Sequence, residues 1–355
     1  MIQLRDYQQK AVDSVFKSFK RYPDEHPVIG LPTGAGKSYV IAAIIEKAVT
    51  EYENVNILVL SHVKEIIEQD YNAIKNFTGR DVGLYSAGLF SKEIRQVTVA
   101  GIQSVYRKAP DFKQFNFIII DEVHTVPLEG NGMYKTFFDA MGNIRYLGLS
   151  ATLFRLGGGY IYGKDKLFNR VSYDLTSREA FKKFVDDGYL SNLKTIATNI
   201  EYDVQKIHTQ NGDFKISDMS DRFDRTPITD GAIQEIIKHG ENYKKWLIFA
   251  IDIEHAEHIA ETLIRNNIMT NVVHSKMDDD RDMVIRNFKR GKYRALVNVN
   301  VLTTGFDDPE IDLIALLRPT KSPVLHVQMI GRGLRVSPNK SHCLVLDFGG
   351  NTEQI

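Results

Sequence analysis

Leu31-Pro32-Thr33-Gly34-Ala35-Gly36-Lys37-Ser38 is the stretch on which the fold turns. It reads as a phosphate-binding loop, because the apolar run Pro27-Val28-Ile29 reads as a strand leading in and Tyr39 to Ala48 as a buried helix leading out. Small residues at Gly34, Ala35 and Gly36, after Pro32 and Thr33, let backbone N–H groups converge on phosphate oxygens at a helix N-terminus. Unpaired donors and the macrodipole already favour an anion there. Lys37 is then placed for the β- and γ-phosphates and Ser38 for Mg2+, so ATP and Mg2+ are the expected cofactors. The strict pattern has Gly at the first position and this chain has Leu31. A chance glycine-rich turn is the alternative, and the rest of the chain argues against it by supplying the remaining parts in order.

Outward from the loop, 355 residues suit two domains, and a 43% hydrophobic content suffices for two cores. No apolar run approaches the roughly 20 residues of a membrane span, and the polar Met1 to Lys10 is unlike a signal peptide. A soluble, cytoplasmic, monomeric protein without membrane contact is expected. The single cysteine, Cys343, lies in the apolar run Cys343-Leu344-Val345-Leu346 and reads as a buried strand thiol; neither an internal disulfide nor a cysteine-rich zinc site can be built. With 45 basic and 45 acidic residues the net charge is zero, so a polyanion site has to be a local groove.

Apolar β-rich runs near 27–30, 55–60, 96–100, 115–121 and 144–151 alternate with amphipathic stretches, which predicts a parallel sheet covered by helices. Gly157 to Gly159 break the pattern, which resumes with strands at 194–200, 246–251, 271–274, 294–300, 311–317 and 342–348 and helices at 253–266 and 278–289. The division expected is a first α/β domain over residues 1–155, a connecting segment over 156–190 and a second α/β domain over 191–355. The polar stretch around Gly212-Asp213-Phe214 reads as a surface connector, with a substrate-touching loop as the alternative.

The strand Phe117-Ile118-Ile119-Ile120 ends in Asp121-Glu122-Val123-His124. That delivers two carboxylates to the edge where α/β sheets bind ligands. Asp121 suits Mg2+, and Glu122 beside it suits orienting and deprotonating the water that attacks a γ-phosphate.

With these two elements the chain resembles a superfamily 2 helicase core of the DExH type, over nearly its whole length. The fold implied is two tandem RecA-like domains, each a mainly parallel sheet covered by helices. Leu4-Arg5-Asp6-Tyr7-Gln8 is similar to the family's Q-type motif, which implies that Arg5 and Gln8 stack on and read adenine. Ser150-Ala151-Thr152 resembles the third motif, implying that Ser150 and Thr152, with His124, couple the nucleotide state to movement. Thr303-Thr304-Gly305-Phe306-Asp307 resembles motif V, with Gly305 and Asp307 toward the nucleotide. Gln328-Met329-Ile330-Gly331-Arg332-Gly333-Leu334-Arg335 resembles motif VI. There the family implies Arg332 and Arg335 as arginine fingers and Gln328 near the phosphates or the attacking water; Gly331 and Gly333 are poor residues for a plain solvated helix.

For nucleic acid, the resemblance points to His62 and Lys64 after strand 55–60, to Gln103 and Ser104, and in the second half to His274, Ser275, Thr303 and Thr304. Hydroxyl and amide groups with helix N-termini grip phosphates without reading bases, so the implied grip is sequence-independent and salt-sensitive. Within the superfamily, the runs Val297 to Asp307 and Gly148 to Gly157 resemble the RadD group of DNA-repair helicase-like ATPases, which favours DNA and implies repair or replication proteins as partners. The function implied is an ATP-dependent motor on DNA. An RNA helicase is the nearest alternative, although Val123 in place of Ala disfavours the DEAD-box branch; an ATP-switched binding protein that unwinds nothing is the other.

Overall fold

The computed structural model describes residues 3–126, 132–155, 159–164, 166–200, 202–210, 212–224, 226–277, 280–302 and 306–351. The chain divides into two compact units, Met1–Lys182 and Lys183–Ile355. Among the described residues no helix is long and apolar enough to cross a membrane.

The first unit opens with α1 (Asp6–Arg21), β1 (Pro27–Gly30), α2 (Lys37–Glu51), β2 (Ile57–Ser61), α3 (Lys64–Thr78), β3 (Val82–Ser86) and β4 (Ser91–Lys92). It continues with β5 (Val97–Gly101), α4 (Ile102–Val105), β6 (Phe117–Ile120), α5 (Met133–Met141), β7 (Arg145–Ser150), β8 (Phe154–Arg155), β9 (Gly159–Tyr160) and β10 (Arg170–Asp174). Its main sheet has the order β10-β1-β7-β6-β2-β5-β3-β4 and is parallel except for β4. Strands β1, β2, β5 and β6 are buried throughout, which is why they read as unbroken apolar runs rather than alternating ones.

β10 corrects the expected boundary. It pairs with β1, Val28 opposite Val171, so residues assigned to a connecting segment complete the sheet that carries the phosphate loop. The reason is packing. Gly148 on β7 leaves room for the Phe168 ring: a Cβ there would meet Phe168 at 2.8 Å and Val123 at 2.9 Å. Phe168, 1% exposed, thus fills a space made by a glycine twenty residues away. β3 is a second addition to the sequence reading, its pattern weakened by Gly83 and Ser86.

After α6 (Arg178–Asp186), the second unit contains β11 (Asn192–Ile196), β12 (Thr209–Gln210), β13 (Asp213–Phe214), α7 (Ile216–Phe223), α8 (Thr226–Gly240), β14 (Trp246–Phe249) and α9 (Ile253–Arg265). Then come β15 (Thr270–His274), α10 (Asp280–Lys289), β16 (Ala295–Val299), β17 (Leu313–Leu316), α11 (Pro323–Gly331) and β18 (His342–Asp347). Its main sheet, β11-β18-β17-β14-β16-β15, is wholly parallel. Alternate residues feed two cores. Trp246, Ile248, Leu313 and Ala315 face one, and Leu247, Phe249, Ile314 and Leu316 face the other. Cys343 is buried in the second, and burial pushes its thiol up to about 12. The stretch 212–214 is neither free connector nor open loop: Asp213 accepts from the Thr320 hydroxyl at 2.9 Å and from Lys321 N at 2.7 Å.

Phe168→Ala is expected to destabilise the first unit by about 3–5 kcal/mol, the range for emptying a buried phenylalanine site, read as a lower urea midpoint. A loss under about 1 kcal/mol would remove residues 159–174 from the core of this unit.

Candidate nucleotide and nucleic-acid site

The loop predicted to hold phosphate lies between the carboxyl end of β1 and the N-terminus of α2. Gly34 (φ 92°) and Gly36 (φ 75°) take left-handed backbone, which glycine adopts without the penalty a Cβ imposes. Leu31 replaces the pattern's first glycine without disturbing the turn, because its side chain is fully buried in the core and its N–H donates to Ser150 O at 2.9 Å. The loop's carbonyl side is held by α1: the Tyr7 hydroxyl and the Gln8 amide both donate to Ala35 O at 3.0 Å. Gln8 Oε1 accepts from Arg5 N at 2.9 Å. Gln8 is therefore brought to the loop with both ends of its amide engaged, and it is packed so closely that a Cβ on Gly36 would lie 2.7 Å from Gln8 Nε2.

Lys37 begins α2 and points to the end of β6. Its ammonium is hydrogen-bonded to Glu122 Oε1 and lies 4.0 Å from Asp121 Oδ1. Burial opposes the Lys37 charge, and the two carboxylates outweigh it, so its pKa is raised. Burial also opposes charge on Glu122, but Lys37 and His124 hold that carboxyl well below the usual range. Asp121 goes the other way: burial, with Glu122 beside it, prevails over Lys37 and pushes it up to about 6. A carboxylate at the end of β6 and a hydroxyl at the start of α2 are hard oxygen donors of the kind Mg2+ takes.

Glu122 is held in left-handed backbone (φ 51°), a conformation that costs a non-glycine residue and turns its side chain back toward Lys37. His124 lies on the following turn, with Nδ1 2.9 Å from Ser150 Oγ and 3.2 Å from Glu122 Oε2. Ser150 in turn donates to Thr152 O at 2.7 Å. The structure thus joins Glu122, His124, Ser150 and Thr152 in one chain of contacts at the ends of β6 and β7.

Three neighbours escape the sequence reading. Gln69 on α3 donates to the Ser38 hydroxyl at 3.1 Å. Asp70, next to it, is completely buried beside Ser38 and Lys37; burial first, then Asp121, holds its acid well above the ordinary carboxylate range. Thr125 donates to Glu122 O at 2.6 Å and lies 3.1 Å from His62 Nδ1. Only Thr125 had a local signal, its position directly after the acidic motif; Gln69 and Asp70 become neighbours of the loop through the packing of α3 on α2.

The residues expected to face nucleic acid in this unit fall together. The ends of β2 and β5 are adjacent, and Gln103 donates to His62 O at 2.7 Å. Ser104 Oγ accepts from Ala87 N at 3.0 Å, and Lys64 is exposed at the start of α3. In the second unit, His274 ends β15 with Nδ1 accepting from Lys276 N at 3.2 Å, and Ser275 is exposed. Thr303, Thr304 and Gly305 lie outside the described residues.

The two finger candidates differ. Arg332, 8% exposed, opens a short 3-10 turn after α11 and donates to Phe306 O and to Gln328 O. Arg335 follows in extended backbone and pairs with Asp307 at 3.0 Å. Gly333 is required by close approach: a Cβ there would lie 2.5 Å from Cys343 Sγ.

Comparison with known proteins matches a separate family model in each half of the chain. Residues 1–155 match the family described as type III restriction enzyme, res subunit, and residues 230–337 match the helicase conserved C-terminal domain. IRC3 of Saccharomyces cerevisiae, provisionally described as an ATP-dependent helicase, is 29% identical over 98% of this chain and 51% of its own length. The DNA 3′-5′ translocase XPB2 of Sulfurisphaera tokodaii is 25% identical over 94% of this chain and 79% of its own. The chain thus spans about half the length of IRC3. A fragment assigned as the HsdR subunit of a type I restriction enzyme from Vibrio vulnificus YJ016 superposes with a TM-score of 0.74 at 22% identity, over 99% of this chain and 65% of that one. The type ISP restriction-modification enzyme LlaBIII, solved bound to DNA, gives 0.70 at 18% identity over 97% of this chain and 27% of that one. The architecture is two tandem RecA-like domains.

Glu122→Gln keeps the shape at the end of β6 and removes the proton acceptor. ATP binding should survive or tighten, since Lys37 loses a competing partner, while turnover falls by roughly 10²–10⁴-fold. Filter binding of ATP alongside phosphate release checks both; an active variant would move the base elsewhere.

Proposed function

The chain belongs to the superfamily 2 helicase family, and we propose that it is a Mg2+- and ATP-dependent motor that moves along DNA. The observation that carries this is the Lys37–Glu122–Asp121 constellation behind a glycine loop. It supplies a cation for the β- and γ-phosphates, an oxygen ligand for Mg2+ and a carboxylate poised as general base, the parts phosphoryl transfer needs. Mg2+ would be held by Ser38 and Asp121, and it would neutralise charge between the phosphates.

In this reading Gln8 and Arg5 report adenine to the loop through Ala35, and His124, Ser150 and Thr152 carry the state of Glu122 to β7. Thr125 adds a second path, from Glu122 through His62 to the Gln103 amide. Hydrolysis and nucleic-acid grip then share bonds. His62, Lys64, Gln103 and Ser104, with His274, Ser275, Thr303 and Thr304, hold the backbone. Arg335 is the arginine that contributes transition-state charge, Arg332 anchors motif VI, Gln328 lies toward the phosphates, and Gly305 and Asp307 belong to the nucleotide side. DNA is favoured by the likeness to XPB2, a protein named as a DNA 3′-5′ translocase. A role in repair rests on the likeness of residues 148–157 and 297–307 to the RadD group, and partners among repair or replication proteins follow from it.

ATP turnover measured without polynucleotide and with single-stranded, duplex and branched DNA and RNA tests the reading. DNA should accelerate hydrolysis, and affinity should fall steeply with salt while varying little among sequences. Stimulation by RNA alone would transfer the motor to RNA. An ATPase that neither translocates nor displaces strands would be a switch.

Arg335→Ala should bind ATP and hydrolyse it about 10³–10⁵-fold more slowly, the usual contribution of an arginine finger. It should also lose acceleration by DNA. Unimpaired turnover in single-cycle kinetics would remove Arg335 from the chemistry.

A further inference from the structure

Strands β2, β5 and β3 are neighbours and parallel, so the segments leaving their carboxyl ends form one row. Gln103 ties the second segment to the first at His62 O, and Ala87 N ties the third to Ser104. Lys64 closes over the same turn: a Cβ on Gly88 would lie 3.8 Å from Lys64 Cδ. At the tip of that turn is Phe90. Its side chain is 97% exposed, whereas the next most exposed large apolar residue among those described, Met269, is 64% exposed.

This ring is presented to solvent at a conformational cost. Phe90 has left-handed backbone, φ 54° and ψ 32°, which L-residues with bulky side chains avoid. The bond from Phe90 N to Ala87 O at 3.1 Å and the pairing of β3 with β4 just beyond hold it there. A Phe that buries nothing and is aimed outward by a pinned turn has no part in the core. The turn that carries it touches Lys64 at Gly88 and Ser104 at Ala87 N, and exposed Lys92 and Glu93 follow it in the chain.

We infer that Phe90 is a stacking platform for a base of single-stranded DNA, whose phosphates run along Lys64, Gln103 and Ser104. The inference rests on the nucleic-acid reading above and adds a contact that reading lacks, one to a base. Every base has a π-face, so stacking adds affinity without reading sequence. In a duplex those faces are already stacked on neighbouring pairs; a single strand is the occupant that offers one.

The experiment compares the full chain's affinity for oligothymidylate and for an abasic strand of the same length and charge, with a duplex as third ligand. Wild type should prefer the base-bearing single strand to the abasic one by about 5- to 100-fold, the range aromatic stacking produces. Phe90→Ala should erase that preference; since Phe90 buries no surface, its removal empties no core. Phe90→Trp should keep the preference, and its indole fluorescence should be quenched by the strand. Retention of the preference in Phe90→Ala, or its absence in wild type, overturns the inference and leaves the phosphate grip standing. Wild type that binds no DNA at all overturns the nucleic-acid reading itself.

Discussion

One buried cation, Lys37, faces three buried carboxylates, Glu122, Asp121 and Asp70, and the first unit is arranged around that imbalance. A carboxylate taken from water without compensation is costly, and a single ammonium cannot satisfy three. The excess falls on Asp121 and Asp70, whose acids are raised, while Glu122 keeps its charge through direct contact with Lys37. A proton or a divalent ion balances such an excess, and in the proposed reading Mg2+ arriving with a nucleotide would do so. On the same reading, phosphates would compete for Lys37 and so free Glu122 for a water.

The sheet order explains how that competition would be felt elsewhere. β1, β7 and β6 are adjacent and end at the phosphate loop, the Ser150 contact and the acidic motif; β2, β5 and β3 continue the sheet and end at the candidate backbone grip. Between the halves runs a short relay in which Thr125 bridges Glu122 O and His62, and His62 O receives Gln103. Burial and the nearby His124 lower the pKa of His62, which favours its neutral imidazole. In the proposed reading a shift of the Glu122 backbone would be felt at Gln103 through these hydrogen bonds.

How much of this was legible in the sequence follows from how each feature is encoded. Lys37 follows a glycine loop at the start of α2, and Asp121 and Glu122 follow a strand fixed by a local apolar run, so local pattern located them, whereas Ser150 was named through the family resemblance. Leu31 looked like a defect in the pattern and is instead a core residue whose N–H pairs with Ser150 O. Gln69 and Asp70 were illegible because helical polar residues read as a solvated face, and only the packing of α3 on α2 turns them toward Ser38. β10 was missed for a related reason. Its residues are mixed and only partly buried, and what recruits them is a glycine on β7 that makes room for Phe168. Features carried by one segment were readable, and features made by two were not.

The same distinction separates the two arginines of the second unit, which the sequence presents as equivalent. Arg332 is buried, and its guanidinium is committed to the carbonyls of Phe306 and Gln328; withdrawing it would strand two acceptors and a desolvated charge, a loss of several kcal/mol. Arg335 lies in extended backbone and its partner Asp307 is half-exposed, so that pair contributes no more than about 1 kcal/mol. A phosphate oxygen, more highly charged than a single carboxylate, can replace Asp307 at little cost, and the arginine fork suits it. Asp307 thus pairs with Arg335 without holding it fast. Arg332 shapes the turn from which Arg335 projects, and Gly333, pressed against Cys343, fixes that turn on β18. In the proposed reading the finger is the residue whose present contact is weakest, and its anchor the one that cannot leave.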